Sequence, residues 1–171
     1  NAIYREFIEG LHIDPEAIYR IDQIPFLPIS FFKSHQVVSS AEPGELVFTS
    51  SGTTGIITSS HHISDVSWYR ESFRRAFQLF YGDITSYCVL ALLPAYLERE
   101  GSSLIYMAQD MITESKNPDS GFYLYNHADL YDQLKRQQQN KKPTLLIGVT
   151  FALLDFVEQY QLNFPELIVM E

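Results

Sequence analysis

The residues most able to do chemistry stand together at Thr49-Ser50-Ser51-Gly52-Thr53-Thr54-Gly55. Hydroxyl side chains alternate with two glycines, so main-chain N–H groups can approach a ligand closely. Successive N–H groups in such a turn make a concave anion site, and the hydroxyls add donors. The chemistry on offer is the holding of a phosphate. A polar β-hairpin turn would use the same residues, and the stretch alone leaves both readings open.

Other chemistries are excluded by spacing. A triphosphate loop of the Walker type needs a lysine directly after its second glycine, and Ile56 follows Gly55 here. No G-x-G-x-x-G dinucleotide fingerprint and no Gly-x-Ser-x-Gly elbow occurs. His61 and His62 are adjacent, which points them apart in a strand, and no Cys or Glu stands at metal-ligand spacing. A zinc site is therefore not expected. Cys88, the only cysteine, lies in the apolar run Tyr87-Cys88-Val89-Leu90 and reads as a buried structural thiol.

The elements that must position these residues follow from periodicity. Ile3, Phe7 and Leu11 mark an amphipathic helix. Asp14-Pro15-Glu16 is a helix start, and residues 24–29, with Pro25 and Pro28, form an extended apolar segment across a domain surface. Residues 30–35 add one helical turn, with Lys33 and His35 as solvated surface. Strands are expected at 36–38, 45–49 and 56–58. Ser64-Asp65 then caps a helix whose core stripe is Val66, Tyr69, Phe73, Phe77 and Phe80.

From residue 86 onward the pattern alternates: strand 86–93, helix 101–112, strand 122–125, helix 128–140, strand 144–149, helix 151–160, strand 167–170. Lys135, Arg136, Lys141 and Lys142 need no role beyond a helix C-terminus. Such alternation implies right-handed βαβ units, hence an α/β fold with a mainly parallel sheet flanked by helices. Ligands of open α/β sheets sit at the carboxyl ends of strands. Thr49-Ser50, Pro94-Ala95, Gly148-Val149-Thr150 and Met170-Glu171 all fall at such ends, and one shared crevice is expected.

Composition bounds the partners. The chain has 171 residues, 46% hydrophobic and 14% aromatic, which suits a globular fold and not disorder. A formal net charge of -9 without a basic stripe argues against nucleic acid. One cysteine fits a reducing, cytoplasmic location, and no apolar run is long enough for a membrane span. The missing initiator methionine and the strand at 167–170 suggest a piece of a longer protein.

The stretch Phe48-Thr49-Ser50-Ser51-Gly52-Thr53-Thr54-Gly55 resembles the signature loop of the AMP-forming adenylate enzymes, the superfamily of acyl-CoA synthetases, luciferases, phenylacetate-CoA ligases and peptide-synthetase adenylation domains. Residues 24–35, Ile-Pro-Phe-Leu-Pro-Ile-Ser-Phe-Phe-Lys-Ser-His, resemble more narrowly the LuxE-type acyl-protein synthetases. Leu92-Leu93-Pro94-Ala95-Tyr96 and residues 148–154 are similar to family segments lining the acyl and adenylate pocket. The likeness runs from about residue 22 to the end.

The resemblance implies that a carboxylic acid, in this branch a fatty acid, attacks the α-phosphate of ATP with Mg2+, and that a thiol of a protein cysteine or of CoA then takes the acyl group. It implies that Thr49, Ser50, Ser51, Gly52, Thr53, Thr54 and Gly55 hold phosphate. Glu171 would begin the adenine pocket, and Pro94, Tyr96, Gly148 and Val149 would line the substrate site. No metal ligand is assigned within the chain. Many family loops carry a lysine past the second glycine; here none occurs, and His61 or His62 is the candidate substitute, His62 foremost. Leu97 replaces the family's pocket histidine. The remaining catalytic groups would lie beyond Glu171, so residues 1–171 are expected to be an incomplete N-terminal acyl-activating domain, inactive alone. The alternatives are an ATP-independent acyltransferase using an acyl thioester and a non-catalytic binding module.

Overall fold

The computed structural model describes residues 1–39, 44–50, 58–94 and 101–171. The chain divides into two compact units, Asn1–Val66 and Ser67–Glu171.

The first unit is built from short elements. Helix α1, Ala2–Gly10, opens on the Asn1 side chain, which accepts from the Tyr4 N–H, and its apolar stripe buries Ile8. Asp14 caps as expected, accepting from the Glu16 N–H, but Pro15–Ala17 makes only one 3-10 turn. Ile18 is already extended, so no helix propagates. The proline segment runs without regular structure to α2, Phe31–Ser34. Phe26 and Ile29 are largely exposed there. Lys33 and His35 are exposed, and His35 stacks on Phe31.

Two corrections concern strands. Residues 36–38 form none; the Val38 carbonyl instead accepts from the Asn1 side chain at 2.7 Å. Strand β1, Leu46–Thr49, is where it was expected, but its partner β2 is Ser60–Ile63, not 56–58. Thr58 is outside any strand, and residues 56 and 57 lie outside the described residues. Leu46 opposes Ile63 and Phe48 opposes His61 on one face, while Val47 opposes His62 on the other.

The second unit is a three-layer α/β structure. After helix α3, Val66–Tyr81, the elements are β3 Cys88–Leu92, α4 Ser103–Ser115, β4 Gly121–Tyr123, α5 His127–Gln139, β5 Thr144–Gly148, α6 Thr150–Gln159 and β6 Leu167–Met170. The four strands are all parallel, in the order β4-β3-β5-β6. The expected alternation holds, with shifted ends. Helix α4 runs on to Ser115, and the third helical connection starts at Thr150 because β5 stops at Gly148.

Strands β3 and β5 are buried on both faces, as a central parallel strand must be. Residues alternate between two cores. Cys88, Leu90, Leu92 and Leu146 pack with Leu130 and Leu134 of α5 and Ala152 and Phe156 of α6. Val89, Ala91, Leu93, Leu145 and Ile147 pack with Phe77 of α3 and Ala108 and Met111 of α4. Topology explains the split. The step from β3 to β4 runs one way along the sheet; the steps to β5 and β6 run the other way. Crossovers of a single hand then put α4 on one face and α5 and α6 on the opposite face. Each buried leucine contributes about 1.5–3 kcal/mol relative to exposure, so the paired cores dominate this unit's stability.

One residue of the expected α3 core stripe is not buried. Phe77 is buried and Tyr69 and Phe73 are half-buried, but Phe80 is 75% exposed. Phe80 keeps the angular position of the stripe, 3.6 residues per turn bringing it close to the Phe73 direction, but it stands in the last turn of α3, where it is not covered. Among the described residues, no helix is long and apolar enough to cross a membrane.

Candidate functional site

In the first unit, β1 carries Thr49 to the edge of the hydroxyl-rich stretch, and the backbone returns through Ser59 into β2. The base is pinned twice. The Ser50 N–H donates to the Ser59 carbonyl at 3.0 Å, and the Ser59 N–H donates to Ser50 Oγ at 3.0 Å. The loop is thus the connection of an antiparallel hairpin, so its ends are held at a constant separation. Ser51, Gly52, Thr53, Thr54 and Gly55 lie outside the described residues.

The two histidines face opposite ways, as their adjacency requires. His61 stacks on Phe32 with ring centroids 4.8 Å apart, and its Nε2 lies 3.2 Å from Ser59 Oγ. Those contacts give it a structural job beside buried Phe48. His62 shares the other face with Val47, Thr49 and Ser60, the face that carries hydroxyls toward the loop. The contacts with Phe32 and Ser59 are those of His61, on the face opposite His62.

In the second unit, the crevice lies at the carboxyl ends of β5 and β6. Its walls include Leu104 and Met107 of α4, Gly148, Val149, Thr150 and Glu171, around about 420 Å³. Gly148 and Val149 therefore meet Glu171, which is distant in sequence, whereas Thr49 ends β1 of the separate two-stranded antiparallel sheet and not a strand of the parallel one. Register brings them together: Ile147 pairs with Met170, so the residues after each strand emerge side by side. Pro94 is buried just past the end of β3, whose Leu92 pairs with Gly148. It stands at the neighbouring strand end without forming a wall of the crevice. Tyr96 and Leu97 lie outside the described residues. The connections leaving β3 and β5 diverge to opposite sides of the sheet, the switch point at which open α/β sheets form a crevice.

Gly148 is required by packing. A Cβ there would stand 2.6 Å from Leu153 Cδ2 and 2.7 Å from its Cγ, so α6 starts close against β5 only because the side chain is absent. Val149 occupies the N-cap position of α6 and offers no side-chain cap. Instead the Thr150 hydroxyl donates to the Glu171 carboxylate. A carboxylate beside the first turn of a helix is electrostatically favourable. Glu171 is exposed and acceptor-only when ionised, so this end of the crevice suits a neutral donor such as an exocyclic amine or a hydroxyl.

Leu104 and Met107 are crevice residues whose part only the fold discloses. Their contacts depend on α4 lying over the end of β5, which no local pattern encodes. Cys88 is fully buried at the start of β3, and burial pushes its thiol up to about 11. It stays protonated and unreactive, as a structural thiol should. Among the described residues no group of three or more His, Cys, Asp or Glu side chains could hold a metal ion. No protein-family model, no curated protein and no solved structure matches the chain.

Proposed function

We propose that the chain forms part of an adenylate-forming, acyl-activating enzyme of the LuxE-like acyl-protein synthetase kind. The reaction is ATP-dependent activation of a carboxylic acid, of the fatty class, as acyl-adenylate, followed by transfer to a thiol. The observation that carries the reading is the meeting of Gly148, Val149 and Glu171 in one crevice at the carboxyl ends of β5 and β6. Gly148 and Val149, from one of the two segments that resemble the family's pocket, line that crevice together with Glu171.

The roles divide by charge. Main-chain N–H groups and the hydroxyls of Ser50, Ser51, Thr53 and Thr54 hold the phosphates and stabilise the departing pyrophosphate, with His62 supplying the donor that a lysine supplies elsewhere. Glu171 accepts from the adenine amine. Leu104 and Met107 exclude water from the reacting carboxylate. Magnesium enters as part of the Mg-ATP substrate. The acid's attack forms the acyl–phosphate bond and breaks the bond to pyrophosphate, and the thiol later displaces AMP. Groups that complete catalysis are assigned to a segment following Glu171.

The test is isotope exchange between pyrophosphate and ATP by the full-length protein, with magnesium, across fatty and aromatic acids. Exchange dependent on a fatty acid is expected, and Thr53→Ala or Thr54→Ala should lower it about 10- to 100-fold without changing the fold. No exchange with any acid, from protein with native circular dichroism, would sink the enzyme reading. The missing lysine between Ile56 and Ser60 favours one second reading, a nucleotide-binding module without catalysis, which predicts ATP binding with no exchange.

A further inference from the structure

Helix α3 presents two faces of opposite use. Tyr69, Phe73 and Phe77 turn toward the core, while Trp68 is 75% exposed, Leu79 79% and Phe80 75%. Steps of four, three and four residues put Trp68, Ser72, Arg75 and Leu79 in one stripe opposite the core. Glu71 flanks that stripe on the Arg75 side and pairs with Arg75 one turn on; both side chains are exposed. Ala76 flanks it on the other side. Large apolar residues thus mark the two ends, small ones the middle, and charges of opposite sign one flank.

We infer that this stripe is a self-association surface, on which α3 of a second copy packs antiparallel. The pattern is self-complementary about a twofold axis near the middle of the helix. Reversal sets Trp68 against Leu79 of the second copy, and Leu79 against its Trp68. Ser72 comes opposite Ala76 of the second copy, and Ala76 opposite its Ser72, which lets the two helices approach closely. Flanks of the same kind face each other in an antiparallel pair, so Glu71 comes opposite Arg75 of the second copy, and Arg75 opposite its Glu71. A parallel pair would instead stack Trp68 on Trp68 and Arg75 on Arg75, opposing like charges. The charge order therefore selects the antiparallel copy. A single helix pair buries less than the roughly 1,200–2,000 Å² of a standard interface, so association is concentration-dependent, with a dissociation constant on the order of tens to hundreds of micromolar.

Trp68 is the chain's only tryptophan, which makes the surface its own reporter. Sedimentation equilibrium and tryptophan emission are measured on the chain from about 1 µM to 1 mM, bracketing that range. A rise from monomer to dimer mass is expected, with emission moving to shorter wavelength over the same concentrations as Trp68 leaves water. Leu79→Glu should abolish both changes with the circular dichroism unaltered, because that side chain lies outside the core. Glu71→Arg alone and Arg75→Glu alone should each weaken dimerisation about three- to tenfold, and the double variant Glu71→Arg/Arg75→Glu should restore it. Monomer mass throughout, a dimer insensitive to Leu79→Glu, or single charge reversals without effect would each overturn the assignment. The outcome is independent of ATP–pyrophosphate exchange.

Discussion

At the scale of single residues, Gly148 and Cys88 make the sharpest expectations. Gly148 stands in a predicted substrate site, yet its first constraint is the 2.6 Å approach of Leu153 Cδ2 to the space a Cβ would fill. Gly148→Ala should destabilise the chain by about 1–3 kcal/mol, and adding Leu153→Ala should recover part of that loss. Urea denaturation of the single and double variants checks it; a strictly additive pair would show that the two side chains do not compete for space. Cys88 offers a pH signature. Its thiol is raised by burial from 9.0 to about 11, so the folded chain keeps the proton that the unfolded chain loses near 9. Between those values the unfolded state binds fewer protons, so stability must fall as pH rises, by at most about 1.4 kcal/mol per pH unit; below about 9 the contribution is fully present. Tyr69 and Tyr123, also raised by burial, act with the same sign at still higher pH. The difference between the wild-type and Cys88→Ala stability curves isolates the thiol, and parallel curves between pH 9 and 11 would disprove its burial as the cause.

At the scale of elements, α3 and α4 are locked by Arg74. Its guanidinium donates to both carboxylate oxygens of Asp110, each at 2.8 Å, and reaches Glu114 at 2.9 Å. Asp110 is the more shielded partner, with 14% of its side chain exposed. Arg74→Ala leaves that carboxylate without its fork and should cost about 1–2 kcal/mol, discounted for the partial exposure of Arg74. Asp110→Ala in the same background should add little; thermal unfolding of the four-variant cycle checks the coupling. A charged side chain beside the apolar stripe belongs at the solvent edge of α3, which holds for the exposed portion of Arg74. Its pairing was illegible, because Asp110 lies on a different helix and the two meet only when both pack on one face of the sheet. The hairpin shows the same limit. Leu46–Thr49 was readable as a strand from its apolar run, but Ser60–Ile63 was not, since serine and histidine carry little strand preference. Backbone pairing with β1 makes it a strand, a long-range term that local preference does not carry.

At the scale of the whole molecule, the parallel α/β unit is the part that the chain's pattern announces most clearly. Continuous apolar runs at β3 and β5 can be satisfied only by burial on both faces, and helices between them require crossovers. The sheet order could not be read. Orders with β4 or β6 in other places keep every local pattern intact. The observed order β4-β3-β5-β6 sets the switch point between β3 and β5 and puts the Gly148 and Glu171 ends next to one another. The proposed chemistry depends on that adjacency, so disrupting the register should affect it more than changing any one wall. Val169 projects from β6 with 55% exposure and tolerates polar substitution, whereas a charge at Ile147, 2% exposed at the end of β5, should unfold the unit.

The amino-acid sequence by itself determined the class of this protein: which runs must be buried, where helices begin, that Cys88 is structural, and that residues 49–55 are rich in groups able to hold an anion. Those properties are local, written in side-chain size, polarity and spacing. Tertiary structure alone decided that His61 is occupied by Phe32 and Ser59, that Phe80 is left exposed, and that Gly148, Val149, Thr150 and Glu171 share a crevice. Such outcomes depend on register, strand order and helix placement. These are set by the summed packing of elements distant in sequence, so no single stretch contains enough of the energy to specify them.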